Sequence, residues 1–370
     1  MNKRTVLFLF GGRSGEHEVS IVSASAVISN LDIEKYEVIE VGITKTGDWV
    51  IGSDLEKMKQ GKDVEPEYEL ILSKKKKSDR HSLQKIENGK VVDEFLFDVA
   101  FPVLHGTYGE DGTIQGLFEM HDIPYAGPDI TGAVMGIDKV LFKKIMDREG
   151  IPNAPFVYYH RKTFNLDLAK EEVRKLGYPV FVKPSNTGSS VGVVKVSKEE
   201  ELESAIKEAF TFFDKILIER AVLNAREIEV SVLGNEEVKV SIPGEVVPGD
   251  EFYSYKDKYI EDKSYTIIPA ELSEKKLEEI REMAEKVYRA IDCKGMARVD
   301  FLMNRETEEV FINEVNTIPG FTSISMYPKL WEASGLDFVS LVSRLIELGF
   351  ERFEEKGRNK TEYDSELLSK

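Results

Sequence analysis

"VFINEVNTIPGFT", residues 310–322, opens as a strand rich in β-branched and aromatic residues and runs into a Pro-Gly turn. Side chains on a strand alternate between faces, so Glu314 and Asn316 point one way while Phe311, Asn313 and Val315 point the other. An edge strand with one wet face would account for the polar pair. So would two oxygen ligands held at a fixed spacing. Just upstream, "MARVDFLM" (296–303) is a second strand, joined to the first by the charged turn "NRETEE" (304–309), with Arg298 and Asp300 on one face. If the two polar faces coincide, three oxygen-bearing side chains and a guanidinium converge on one patch. Asp, Glu and Asn are hard donors that suit Mg²⁺, usually held by one or two carboxylates plus substrate phosphates. An arginine beside them would stabilise charge on a phosphoryl group in transfer. A salt-bridged hairpin is the plain alternative, but it requires neither the Asn nor the turn that follows.

Working outward, the chain reads as α/β. Residues 6–10 form a buried strand, "GGRSGEHEVS" (11–20) a glycine turn, and "IVSASAVISNL" (21–31) a helix. G-x-G-x-x-G is absent, so a dinucleotide fingerprint is not supported. Residues 54–94, with "KKKK" at 74–77, read as a solvated excursion or an extra hairpin, not a binding patch. A strand, a glycine-rich loop and a short helix follow, and the proline-punctuated stretch at 122–128 marks a domain boundary. "DKVLFKKIMDREGIP" (138–152) is a helix closed by Gly150 and Pro152. "YPVFVKP" and "VGVVKV" flank "SNTGSSVG" as a hairpin with a glycine-rich tip, and Ser197 with Glu200 has capping-box spacing for the next helix. "EIEVSVLGNEEVKVSI" is a hairpin turned at Gly-Asn. Residues 244–267 are polar and tyrosine-bearing, long for a connection, and suggest a lid. "LSEKKLEEIREMAEKVYRAI" (272–291) is amphipathic, and the last twenty residues read as a fraying tail.

A length of 370 residues suits two or three domains. The net charge of −17 argues against nucleic-acid or anionic-membrane binding, though small anions need only a few local donors. One cysteine, Cys293, precludes an intramolecular disulfide and reads as packing. The amino-terminal apolar run is too short for a signal-peptide core, and no stretch is long enough to span a bilayer, so the expectation is a soluble cytoplasmic protein.

Three more constellations carry chemistry. Lys183 leaves a strand facing the 185–192 loop, whose backbone N–H groups suit phosphates, although it is not a Walker A motif. Lys139 begins a helix and offers another cation. "LIERAVLNAREIEV" (217–230) ends a strand in Glu219 and reaches Glu227, which suits an adenine and a ribose or simply two surface glutamates. At the amino end, Glu16 can bind an ammonium group or cap a helix, and His105 sits on the turn of "LHGTYGEDG".

Taken together, "GGRSGEHEVS", "LHGTYGEDGTIQG", "VKPSNTGSSVGV", "KDKYI", "ARVDF" and "NEVNTIPGFTSISMYP" resemble the D-alanine–D-alanine ligases of the ATP-grasp superfamily, over residues 1 to about 345. The resemblance implies a three-domain ATP-grasp architecture opening with a parallel-sheet α/β domain. The expected units are 1–127 (substrate binding), 128–219 (central, with the Gly-rich lid), 220–350 (metal site) and a charged tail at 351–370. It implies that Asp300, Glu314 and Asn316 hold two Mg²⁺ ions on ATP, with Mn²⁺ able to substitute, and that Lys139 and Lys183 contact the phosphates. Glu219 and Val222 would flank the adenine, and Glu227 would meet the ribose. Glu16 would hold the ammonium group of the first D-alanine, linked through Ser189 to Tyr259. Arg298 and the N–H of Gly320 would stabilise the oxyanion, Ser325 would bind the second carboxylate, and His105 lies close by. Lys258-Tyr259 keeps the pairing that ligases making D-alanyl-D-lactate depart from, which favours an amine nucleophile. Met326 would line the second subsite. The implied reaction makes D-alanyl-D-alanine through an acyl phosphate for peptidoglycan precursors. The alternative is a ligase with another D-amino acid or a D-hydroxy acid at that subsite. Similar ligases are commonly homodimers.

Overall fold

The structure, a computed structural model, describes residues 3–77, 79–247 and 265–360. Its first sheet has the order β3-β2-β1-β7: β1 (Arg4–Gly11), β2 (Tyr36–Ile43), β3 (Trp49–Val50) and β7 (Val99–Val103). β1 runs parallel to both β2 and β7. Covered on both faces, β1 is a continuous apolar run without alternation, as a central parallel strand must be. Helix α1 (His17–Ser29) lies against it, and Ser20 accepts the Gly11 N–H at 2.7 Å, fixing the glycine turn.

The charged region 54–94 holds the extra hairpin and extends it by a third strand. Helix α2 (Ser53–Lys59) is followed by a three-stranded antiparallel meander, β4 (Glu69–Lys77), β5 (Arg80–Glu87) and β6 (Lys90–Phe97). Leu72, Leu83 and Phe97 bury into the core formed by Leu7, Leu9 and Val41, while Arg80 binds Asp98 at 2.9 Å. Register shifts in both strand pairs break the period-2 pattern, which hid the packed face in the sequence.

A second sheet, β10-β9-β11-β8, is antiparallel: β8 (Phe156–His160), β9 (Val180–Pro184), β10 (Val194–Val196) and β11 (Lys215–Arg220). Helices α6 (Leu166–Leu176) and α7 (Glu199–Phe212) cover it through Val173, Leu202 and Ile206. The expected Ser197/Glu200 box is displaced by one residue: Lys198 is the N-cap, and Glu201 takes the Ser197 N–H at 2.9 Å.

The third sheet is the largest. Strands β12 (Ala225–Gly234) and β16 (Gly295–Asn304) pair over ten residues at its centre, with β17 (Val310–Asn316), β13 (Lys239–Val240), β14 (Gly244–Val247) and β15 (Tyr265–Ile267) around them. Helix α8 (Glu274–Ala290) packs Ile280, Ala284, Val287 and Tyr288 onto it, as its spacing predicts. Cys293 is buried in the same core, and burial pushes its thiol far above the usual range, in keeping with packing. Helices α3 (Thr113–Met120), α4 (Ile130–Ile137) and α5 (Lys139–Glu149) lead from the first sheet to the others, and α9 (Met326–Ala333) and α10 (Phe338–Lys356) return to it. The supposed tail is helical through Lys356: Arg352 donates to the carbonyls of Gly127 (2.7 Å) and Tyr125 (2.8 Å), and Lys356 pairs with Glu119. Among the described residues no helix is long and apolar enough to cross a membrane.

Candidate active site

The paired strands bring the polar face together. In the β16–β17 register Arg298 sits opposite Asn316 and Asp300 opposite Glu314. The Arg298 guanidinium grips both Asp300 oxygens at 2.7 Å and also reaches Glu229 on β12 at 2.9 Å. Asn316 donates to Asp300 at 2.8 Å. Burial alone would depress the arginine, but Asp300 and Glu229 hold it well above its usual value, a permanent cation. Strict alternation fails at one place. A bulge beyond Asp300 pairs Phe301 with Ile312, so Asn313 is the extra residue and lines the same cavity as Glu314.

Asp300, Glu314 and Asn316 fit a magnesium-type site by donor chemistry: two carboxylates and an amide on neighbouring strands, with room for water and phosphate oxygens. Among the described residues no cluster of three or more His, Cys, Asp or Glu forms a ready metal cage.

Two cavities meet here. The larger, about 430 Å³, is lined by Lys183, Glu219, Val222, Glu227, Phe181 and Leu302, among others. The smaller, about 80 Å³, is lined by Glu16, His105, Ser189, Arg298, Gly320, Ser325 and Met326. Lys139, Glu229 and Glu314 line both. Lys139 is aimed by its neighbour: Asp138 caps α5 by accepting the N–H groups of Val140 (3.1 Å) and Leu141 (3.2 Å). The Lys139 ammonium then meets the Thr187 carbonyl at 2.7 Å and Glu314 at 3.6 Å. Lys183 and Lys143 both contact Glu219, at 2.5 and 2.7 Å. Burial would raise that carboxyl, but the two lysines reverse the effect and lower it to about 2.

Glu16 stands at the N-cap position of α1 without capping it. Its carboxylate accepts a hydrogen bond from Ser189 of the glycine-rich loop, so that loop closes onto the amino-terminal region. Gly188 permits the approach, since a β-carbon there would lie 2.8 Å from the Glu16 carboxylate. The capping reading of Glu16 therefore yields to the contact with Ser189.

The 317–321 turn is pinned from below. His105 Nδ1 donates to the Ile318 carbonyl (2.9 Å), and burial depresses the imidazole toward its neutral form. In that tautomer Nε2 accepts from Ser23 (3.0 Å), whose oxygen accepts the Phe321 N–H (3.3 Å). Glu110 accepts the N–H groups of Ile318 (3.0 Å) and Gly106 (2.8 Å). Burial, with Glu16 adding, pushes Glu110 up to about 8. Ser325 accepts the Thr322 N–H at 3.0 Å, and Met326 is buried against Val246 and Leu330. Lys258 and Tyr259 lie outside the described residues.

Sequence reading missed Glu110, Ser23, Lys143, Glu229 and Asn313. Signals existed for two of them: Glu229 follows Glu227 by two on one strand, and Lys143 follows Lys139 by one helical turn. Ser23 and Glu110 act only through chain reversals that no local pattern announces.

The family profiles agree with this geometry. That for the D-ala D-ala ligase N-terminus matches residues 5–128, and that for the D-ala D-ala ligase C-terminus matches residues 145–347. A D-alanine–D-alanine ligase of Thermoanaerobacter sp. (strain X514) is 49% identical over 361 residues, 97% of this chain and 99% of the relative. The solved D-alanine–D-alanine ligase from Coxiella burnetii superposes with a TM-score of 0.83 at 32% identity, covering 97% of each chain. A D-Ala:D-Ser ligase from Enterococcus faecalis gives 0.81 at 34% identity, covering 94% of this chain and 100% of that one. The chain belongs to the D-alanine–D-alanine ligase family, with the ATP-grasp fold.

Proposed function

We propose that the chain joins two D-alanine molecules into D-alanyl-D-alanine with conversion of ATP to ADP and phosphate, in the cytoplasm, for peptidoglycan precursors. The observation that carries this reading is the shared wall of the two cavities, Lys139, Glu229 and Glu314, with Arg298 and Asp300 beside it. Among the described residues, a phosphoryl donor in the larger cavity and a carboxylate in the smaller one meet there.

ATP takes the larger cavity, its adenine by Glu219 and Val222, its ribose by Glu227 and its phosphates by Lys139 and Lys183. Asp300, Glu314 and Asn316 would hold two Mg²⁺ ions, or Mn²⁺, which when bound neutralise charge on the triphosphate. Glu16 binds the ammonium group of the first D-alanine. The carboxylate oxygen of that D-alanine attacks the γ-phosphorus, the bond to ADP breaks, and an acyl phosphate forms on the substrate. The amine of the second D-alanine, oriented by Ser325 with Met326 and His105 about it, attacks the carbonyl carbon. Phosphate leaves and the amine loses a proton. Arg298 and the Gly320 N–H stabilise the oxyanion between these steps. Positioning replaces a bimolecular encounter, and closure of the Ser189 loop keeps water from the acyl phosphate. Three units, 1–127, 128–219 and 220–350, and a homodimer complete the proposal. The separate core of the second sheet supports the central unit, while the first and third units share a core that holds Phe8 and Phe101 with Met296 and Phe321.

The test is phosphate release from Mg-ATP with D-alanine, L-alanine, D-alanine plus D-lactate, and D-alanine plus D-serine. Release with D-alanine alone, with the dipeptide in the mass spectrum, is expected. Release only in a mixed pair would move the second subsite to another acceptor.

A further inference from the structure

Glu219 carries two lysines rather than one. Lys143, on α5 one turn beyond Lys139, is almost fully buried. Its ammonium lies 2.7 Å from one Glu219 oxygen, 3.2 Å from the Ala154 carbonyl and 3.4 Å from Asn153. Lys183 takes the other Glu219 oxygen at 2.5 Å and reaches Asn313 at 3.5 Å. Lys183 and Glu219 line the nucleotide cavity; Lys143 is not among the residues lining it. The cluster therefore holds two cations on one buried anion, Lys143 buried behind it and Lys183 facing the nucleotide cavity.

We propose that Lys143 is a positioning residue that keeps Glu219 paired, and so lets Lys183 move its ammonium onto the triphosphate. The proposal rests on the reading that Lys183 contacts ATP phosphates. A buried one-to-one pair of Lys183 and Glu219 would resist that movement, because withdrawing the lysine would strand a carboxylate in a low-dielectric interior. With Lys143 on the second oxygen, the carboxylate stays neutralised when Lys183 leaves. The cluster then presents one net positive charge to the phosphates instead of none.

The consequence is confined to the phosphate end of the nucleotide. The readout is the equilibrium affinity for ATP divided by that for adenosine, which cancels contacts to the base and ribose, measured with Mg²⁺ on the full chain. In Lys143→Met the ratio is expected to fall about tenfold or more, the size of one charge-assisted contact. Adenosine affinity is expected to stay within about twofold. Removing the carboxylate removes the need for Lys143, so Lys143→Met/Glu219→Gln should match Glu219→Gln alone within about threefold. That second comparison carries the test if the single variant does not fold. An equal loss of ATP and adenosine in Lys143→Met would overturn the proposal, as would an unchanged ratio. So would a double variant whose ratio falls well below that of Glu219→Gln. Lys183→Met separates the levels. If it leaves the ratio intact, the phosphate assignment falls and the proposal with it. If it lowers the ratio while Lys143→Met does not, the proposal alone is refuted.

Discussion

Replacing Arg298 with alanine removes the guanidinium that neutralises two buried carboxylates, Asp300 and Glu229, across three contacts of 2.7 to 2.9 Å. Breaking a buried pair by deleting one partner costs about 3–5 kcal/mol, because charge stays behind in the interior. For a chain of 370 residues that corresponds to a melting point lower by about 4–6 °C. The same carboxylate, Asp300, belongs to the proposed metal site, so the guanidinium and Mg²⁺ compete for it. With the competitor gone, Mg²⁺ without nucleotide should return about 1.4–2.7 kcal/mol at ten to a hundred times its Kd, while moving the parent protein far less. Thermal unfolding of both proteins over a Mg²⁺ series, with Ca²⁺-free buffer and a chelator control, measures it. A variant melting within about 2 °C of the parent, or Mg²⁺ shifting both proteins equally, would refute the reasoning.

Other outcomes follow from single contacts. A β-carbon at Gly320 would lie 2.7 Å from the Ser325 hydroxyl. Gly320→Ala should therefore raise KM for the acceptor D-alanine about 10- to 100-fold with KM for ATP nearly unchanged; steady-state kinetics with both substrates varied decides it, and equal rises would contradict it. Glu110 has a folded pKa raised from the usual 4.5 to about 8. It holds its proton more tightly when folded, so its stabilising contribution is complete below 4.5 and is lost as pH rises through about 8, with a slope on the order of 1.4 kcal/mol per unit. Glu110→Gln should remove that slope in denaturant titrations across this window, and parallel curves for the two proteins would count against it.

How much of this was legible depended on whether the pattern was local. The 296–316 hairpin, the α8 stripe and the β1-turn-α1 opening follow from periodicity and turn residues alone, and each stands where expected. Asn313 did not, because a bulge adds one residue and reverses its face, and period 2 cannot announce a bulge. In the 54–94 region the extra hairpin was legible and its packed face was not, because register shifts scattered its few buried apolar residues among lysines and glutamates. The carboxy-terminal helix looked like a tail because its charges dominate, while Arg352 is held by the Tyr125 ring and by carbonyls more than 220 residues away in sequence. Glu16 could be read as a cap or a ligand until Ser189, from another sheet's loop, was seen to meet it. Lys143 is the sharpest case. Its helical phase was visible, but its meaning depends on Glu219, which arrives from a different strand.

The most direct test of the central claim uses D-alanine labelled with oxygen-18 in its carboxylate, turned over with Mg-ATP. Attack of that carboxylate on the γ-phosphorus, followed by displacement by an amine, must carry one labelled oxygen into each phosphate released, with D-alanyl-D-alanine as the co-product. Phosphate free of label, or label appearing in AMP, would contradict the acyl-phosphate route and with it the account of why Arg298, Asp300 and Glu314 stand where the two cavities meet.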